Sequence, residues 1–188
     1  MNKALLLIDY INDICNPQVN PHGCAVMIAE NNIIERVNKL LVHARKENWL
    51  IIWIVVAFDP EYKEALDSPI FTPAKINQKL QRNTWGSAIL SELNYQAGEL
   101  IITKNAVNPF HGTNLEHVLR KYHINDLYIT GVATEIAIQS CTRDAHDRGY
   151  KPHVIGDCCA GRSKTFHDIS LEMLRNFASI ETSDGIVN

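Results

Sequence analysis

Asp9 follows the apolar run Ala4-Leu5-Leu6-Leu7-Ile8, and Lys104 follows Leu100-Ile101-Ile102-Thr103. A carboxyl group at the rim of an apolar strand has its pKa raised by desolvation and lowered by a nearby cation, so it can serve as acid or base. Taken singly, such an aspartate also reads as a helix cap and such a lysine as a surface charge. A third segment adds more: Gly131-Val132-Ala133-Thr134-Glu135-Ile136-Ala137 has the composition of a strand turning into a helix. A helix N-terminus offers free backbone N–H groups and the positive end of the dipole, the ingredients of an oxyanion site. Small residues at Gly131, Ala133 and Ala137 let a substrate approach that backbone closely. Ala133, Ala137, Cys141 and Ala145, spaced by four, also form a small-residue stripe on which the helix can pack tightly against a sheet. The two roles are compatible.

The elements that must position these residues follow from hydrophobic periodicity. Short runs rich in Ile, Leu and Val alternate with segments of helical period, the pattern of a parallel sheet covered on both faces. Strands are expected at residues 4–9, 50–57, 100–104, 127–131, 153–156 and 179–181. Ile33, Ile34, Val37, Leu40, Leu41 and Ala44 form one apolar stripe, which Asn32 and Glu35 precede at capping-box spacing; Thr113 and Glu116 repeat that spacing ahead of Val118 and Leu119. Further helices are expected over about 134–148, stopping near Gly149, and about 164–177. Residues 58–85 carry three prolines and little periodicity, which predicts a surface excursion of the kind that often covers a pocket. Open parallel sheets bind ligands beyond the carboxyl ends of their strands, where Asp9, Lys104 and the 131–137 turn all fall.

Composition agrees with one α/β domain over residues 1–188 and narrows the partners. A hydrophobic share of 46%, a charged share of 21% and a net charge of -3 exclude a disordered, fibrous or polyanion-binding chain, so no nucleic-acid partner is expected. The N-terminal run is too short for a membrane span and lacks a signal-peptide cleavage pattern, which reads as a buried strand in a cytoplasmic protein with no membrane partner. Five cysteines without paired C-x-x-C spacing read as reduced thiols rather than a zinc site. Among eight histidines without partner spacing, neither His111 nor His167 is assigned a role.

LLLIDYIND, ITKNAVNPFHGTNLEHVLR and GVATEIAIQSCTRDAHDRGY resemble, in order, the three signature segments of the isochorismatase-like (cysteine hydrolase) superfamily. The resemblance covers nearly the whole chain. It implies a Rossmann-like three-layer α/β/α sandwich with a six-stranded parallel sheet, order 3-2-1-4-5-6. It also implies catalytic roles for Asp9 and Lys104 and a cis peptide near Val132-Ala133 that aims the N–H groups at Ala133 and Ala137 toward the substrate. Cysteine-dependent members carry their nucleophile at the position of Ala137, and a methyl group cannot form a thioester. Cys141 lies one turn further along the helix and reads as a buried small hydrophobe.

By analogy with isochorismatases, which hydrolyse a vinyl ether without the cysteine, Asp9 would act as general acid on a small carboxylated or carbonyl substrate. Lys104 would orient that substrate or Asp9 itself. Asn12, Phe58, Trp85, Phe110 and Thr134 are expected to contact the substrate, with Phe71 and Asp13 weaker candidates. No cofactor is expected. No metal is expected either, because relatives that use one carry Asp-x-His where this chain reads Phe58-Asp59-Pro60-Glu61. Relatives are commonly dimers or tetramers, so a homo-oligomer is implied. Two alternatives stay open: a cysteine-type amidase or ureidohydrolase whose nucleophile has been replaced by Ala137, and a catalytically silent relative that binds a small ligand.

Overall fold

The computed structural model describes residues 2–187. In chain order the elements are β1 (Lys3–Ile8), α1 (Asn12–Cys15), α2 (Cys24–Glu30), α3 (Ile33–Lys46), β2 (Leu50–Val56), α4 (Thr72–Ile76), β3 (Leu100–Lys104), α5 (Leu115–Lys121), β4 (Asp126–Val132), a wide π turn (Thr134–Ile138) that runs into α6 (Gln139–Asp147), β5 (Lys151–Ala160), α7 (Lys164–Leu174), β6 (Ser179–Glu181) and α8 (Ser183–Val187). The six strands form one parallel sheet in the order β3-β2-β1-β4-β5-β6, the Rossmann-like arrangement that the resemblance implies.

β1 is apolar from Ala4 to Ile8 because both of its faces are covered. Leu5 and Leu7 join one core with Val37, Leu40 and Leu41 of α3, whereas Ala4, Leu6 and Ile8 join a second core with Leu115 and Leu119 of α5 and Cys141 and Ala145 of α6. Burying each such Leu or Ile contributes about 1.5–3 kcal/mol, and the alternation fixes which side chains face which helix layer. A third, smaller cluster of Ile11, Val55, Phe58, Tyr62, Phe71 and Leu80 lies under the 58–85 excursion. Main-chain bonds from Phe58 N to Leu80 O and from Arg82 N to Phe58 O, both 2.8 Å, close that loop on itself.

Several local expectations are corrected. Asn32 does not cap α3: its backbone is left-handed (φ 51°), its side chain accepts no capping bond, and Glu35 pairs with Lys39 at 2.8 Å. Thr113 does not form a box with Glu116 either. Its hydroxyl accepts from Leu115 N at 3.1 Å, and Glu116 turns to Arg120 and Arg148. β5 runs four residues beyond the expected end, and α7 stops at Leu174, three residues before Phe177. Among the described residues no helix is long and apolar enough to cross a membrane.

Two backbone features bring the strand ends together. Gly131 has φ +135°, and a Cβ there would lie 2.2 Å from the carbonyl oxygen of Ile8, its register partner on β1. Only glycine permits that approach. On the adjoining strand Asp9 takes a left-handed conformation (φ 58°), held by its own N–H to Ile54 O and by Ile11 N–H to its carbonyl, both 2.8 Å.

Candidate functional site

At the carboxyl ends of the central strands lies a cavity of about 460 Å³, lined among others by Asp9, Lys104, Ala133, Ala137 and Arg162. Asp9 and Lys104, 3% and 2% exposed, form an ion pair at 2.8 Å. The second carboxylate oxygen of Asp9 accepts from Val56 N at 2.8 Å, and the Lys104 ammonium also donates to Ala106 O at 3.1 Å. Burial pushes the Asp9 carboxyl above its ordinary range, while the charge and hydrogen bond of Lys104 and the Val56 N–H oppose the rise. The result is a desolvated carboxyl group whose charged form is disfavoured by burial and favoured by Lys104.

The turn beside this pair begins after a cis Val132-Ala133 peptide. The N–H groups of Ile136 and Ile138 both bend back to the carbonyl of Ala133, at 3.0 and 3.3 Å. Thr134 is buried, with its hydroxyl 2.8 Å from Nδ1 of His167 on α7. Burial holds the His167 pKa below the ordinary imidazole value, so the ring is neutral at pH 7. Glu135 accepts from the backbone N and the guanidinium Nε of Arg162, at 3.0 and 2.9 Å, and so fixes Arg162 at the cavity mouth.

Asp9, Lys104, Ala133 and Ala137 therefore line one space, but the five residues expected to contact a substrate do not line it. The Asn12 amide donates to Trp85 O and Ala88 O, at 2.8 and 3.3 Å, and ties α1 to the excursion. Phe58 is interior to the third cluster and Phe110 to the second. Trp85 is 55% exposed away from the cavity, and the Thr134 side chain is spent on His167. Asp13 accepts from Leu80 N at 2.6 Å, another clamp on the excursion, while Phe71 does line the cavity. Asp59 accepts from Glu61 N and Glu64 N within its own turn.

All five cysteines are reduced and buried. Burial pushes the Cys24 and Cys159 thiols up to about 12 and raises Cys15, Cys141 and Cys158 as well. Only Cys24 is among the cavity-lining residues; Cys141 is enclosed between α6 and the sheet.

Sequence reasoning missed Arg162, His22, Asn20 and the apolar wall of Ile14, Ile70, Leu80 and Val107. A signal for Arg162 existed, since it follows the carboxyl end of β5. It was hidden because Gly156-Asp157 reads as a strand terminus. In the fold Asp157 is instead absorbed by Ser183 and Arg36, and the strand continues.

The doubly wound parallel sheet, with a largely apolar cavity and a buried acid–lysine pair at its strand ends, defines an α/β protein with a crevice at its strand carboxyl ends. The chain belongs to the isochorismatase family, whose domain model matches residues 3–185. It is 26% identical over 188 residues to the isochorismatase family protein YecD of Escherichia coli O157:H7, covering 98% of this chain and 94% of that protein. It is 28% identical over 142 residues to the ureidoacrylate amidohydrolase RutB of Methylorubrum extorquens AM1, covering 69% of this chain. The chain spans only 57% of that amidohydrolase's length. Among solved structures, a cysteine hydrolase from Pseudomonas syringae pv. phaseolicola 1448A superposes with a TM-score of 0.89 at 21% identity, covering 99% of this chain and 91% of that one. That likeness is one of fold.

Proposed function

We propose that the protein is a hydrolase of small carboxylated or carbonyl compounds that works through Asp9 and Lys104 without a cysteine nucleophile. The observation that carries this reading is the buried Asp9–Lys104 pair, 2.8 Å apart, on the floor of a cavity that the 133–137 turn also lines. Ala137 stands where cysteine-dependent relatives carry their thiol, so the chemistry must reach water directly.

On a vinyl ether, Asp9 in its protonated form delivers its proton to the terminal carbon of the double bond, leaving an oxocarbenium carbon. Water adds to that carbon and returns a proton to the Asp9 carboxylate. The resulting hemiketal then collapses to a ketone and an alcohol. Lys104 holds the carboxyl group in place and limits the rise of its pKa, while Arg162 at the mouth presents a fixed cation to a substrate carboxylate.

Likeness to ureidoacrylate amidohydrolase favours a second reading, an amidase whose nucleophile is replaced by Ala137. Amide cleavage through an acyl-enzyme needs a thiolate near Asp9, and the one cavity-lining thiol, Cys24, is pushed up to about 12. Turnover of a panel of vinyl ethers and small amides by the wild type, Asp9→Asn and Ala137→Cys tests these readings. Hydrolysis of a vinyl ether that is lost in Asp9→Asn and unaffected by iodoacetamide supports the first. Amide turnover that appears only in Ala137→Cys and is abolished there by iodoacetamide supports the second. Turnover of neither, with ligand binding retained, leaves the family member that binds a small ligand without transforming it.

A further inference from the structure

The cavity is lined by a few polar side chains, Asp9, Lys104, Asn20, His22, Cys24 and Arg162, and otherwise by apolar residues and the 132–137 turn. At the floor, Asp9 and Lys104 satisfy each other, Val56 N and Ala106 O. At the mouth, Arg162 is held by Glu135, and the Asn20 amide nitrogen donates to Ile14 O at 2.9 Å. The wall between is Ile14, Val56, Phe71, Leu80 and Val107, with Ile70 at the rim. Phe71 and Leu80 cannot turn aside to expose polar backbone, because both belong to the packed cluster under the excursion.

A substrate body entering this space loses its water and finds hydrocarbon. A ureido or hydroxyl group there would lose hydrogen bonds that nothing on the wall replaces, whereas a methylene gains burial. We infer that the cavity selects carbonyl compounds whose body next to the reacting group is plain hydrocarbon, and that the wall of Ile70, Phe71 and Leu80, together with Val107, sets this specificity. The inference rests on reading this cavity as the substrate site. It separates the protein's substrate class from that of the ureido compounds named for its amidohydrolase relatives.

Binding rather than turnover tests it. Dissociation constants for acetamide, butyramide and hexanamide are measured by ligand-observed NMR against n-butylurea, the neutral ureido isostere of hexanamide. Affinity should improve by about fourfold per added methylene until the wall is covered, and n-butylurea should bind more weakly than hexanamide. Two conservative variants assign the effect to this cavity. Val107→Thr, nearly isosteric, and Ile70→Thr, at the rim, should each weaken hexanamide by about threefold or more while leaving acetamide within about twofold.

Affinities that do not change with chain length, binding of n-butylurea tighter than that of hexanamide, or hexanamide binding unchanged in both variants would each overturn the inference. Graded binding that depends on the wall, in a protein that hydrolyses no vinyl ether or amide, would sink the hydrolase proposal and leave the hydrocarbon preference standing.

Discussion

Removing the cation of the buried pair exposes how the site is balanced. In Lys104→Met the Asp9 carboxylate keeps the Val56 N–H but loses the ammonium at 2.8 Å, in a place nearly closed to bulk solvent. Breaking a buried ion pair from one side costs about 3–5 kcal/mol when the remaining charge cannot escape. Asp9 can escape by taking a proton, so the cost must depend on pH. Burial already raises its pKa, and loss of Lys104 removes the largest opposing influence, so in the variant the pKa climbs further.

A folded pKa above the unfolded value of about 3.9 gives stability that is fully present below that value and lost as pH rises through the folded pKa. Between the two, stability falls by about 1.4 kcal/mol per pH unit. The wild type should show the same slope over a narrower window, because Lys104 holds its Asp9 pKa lower. Urea unfolding of both proteins between about pH 5 and pH 8 should therefore show a deficit that is small at the acid end and widens toward about 3 kcal/mol or more at pH 8. The double variant Asp9→Asn/Lys104→Met should recover part of that loss. A deficit independent of pH, or none at all, would refute the coupling and with it the picture of Asp9 as a desolvated, titratable acid.

The same shift sets the pH profile of any acid-catalysed turnover: kcat/KM should fall as pH rises through the elevated Asp9 pKa, with the limb above the ordinary carboxylate range. A rate that climbs over that range would assign Asp9 as a base instead. Ala137→Cys places a thiol beside Lys104 and the start of the turn, so it should be alkylated by iodoacetamide at neutral pH faster than any native cysteine; a rate no higher than that of the native thiols would mean the turn does not activate a nucleophile. Thr134→Val strands Nδ1 of the buried His167 and should cost about 1–3 kcal/mol by chemical denaturation. Stability within about 0.5 kcal/mol of wild type would show that water takes the hydroxyl's place.

What the sequence revealed follows from which forces act locally. Six strands were legible because a doubly covered parallel sheet writes itself as apolar runs, and β1, β2 and β3 end within a residue of where those runs end, whereas the strand order came from the family resemblance. Asp9, Lys104 and the 131–137 turn could be placed together because strand ends share one crevice. Side-chain directions in loops were not legible. Asn12 and Asp13 sit beside Asp9 in sequence, yet both are drawn toward the excursion by main-chain groups about 70 residues away, a tertiary demand with no local signature. The aromatic residues failed for a related reason. Phe58 and Phe110 are large enough that burying them in packed clusters outweighs any use at a cavity mouth, and the wall is mostly Ile, Leu and Val, with Phe71 the one aromatic candidate on it.

The excursion shows why stability and selectivity are joined here. A loop of this length without regular structure would normally be mobile, but Phe58, Tyr62, Phe71 and Leu80 give it a core of its own, and Asn12 and Asp13 pin it to the residues that follow Asp9. Phe71 and Leu80 belong both to that core and to the lining of the cavity, so the contacts that order the loop also shape the space beside the Asp9 carboxyl. Burial is the main cause of the raised pKa. Loosening the excursion, by opening the cavity to solvent, should therefore lower the pKa of Asp9 as well as reduce stability, even though no excursion residue among the described residues hydrogen-bonds the carboxylate. Such a dependence would tie the acid to a loop some 60 residues away in sequence, which no local motif around Asp9 announces.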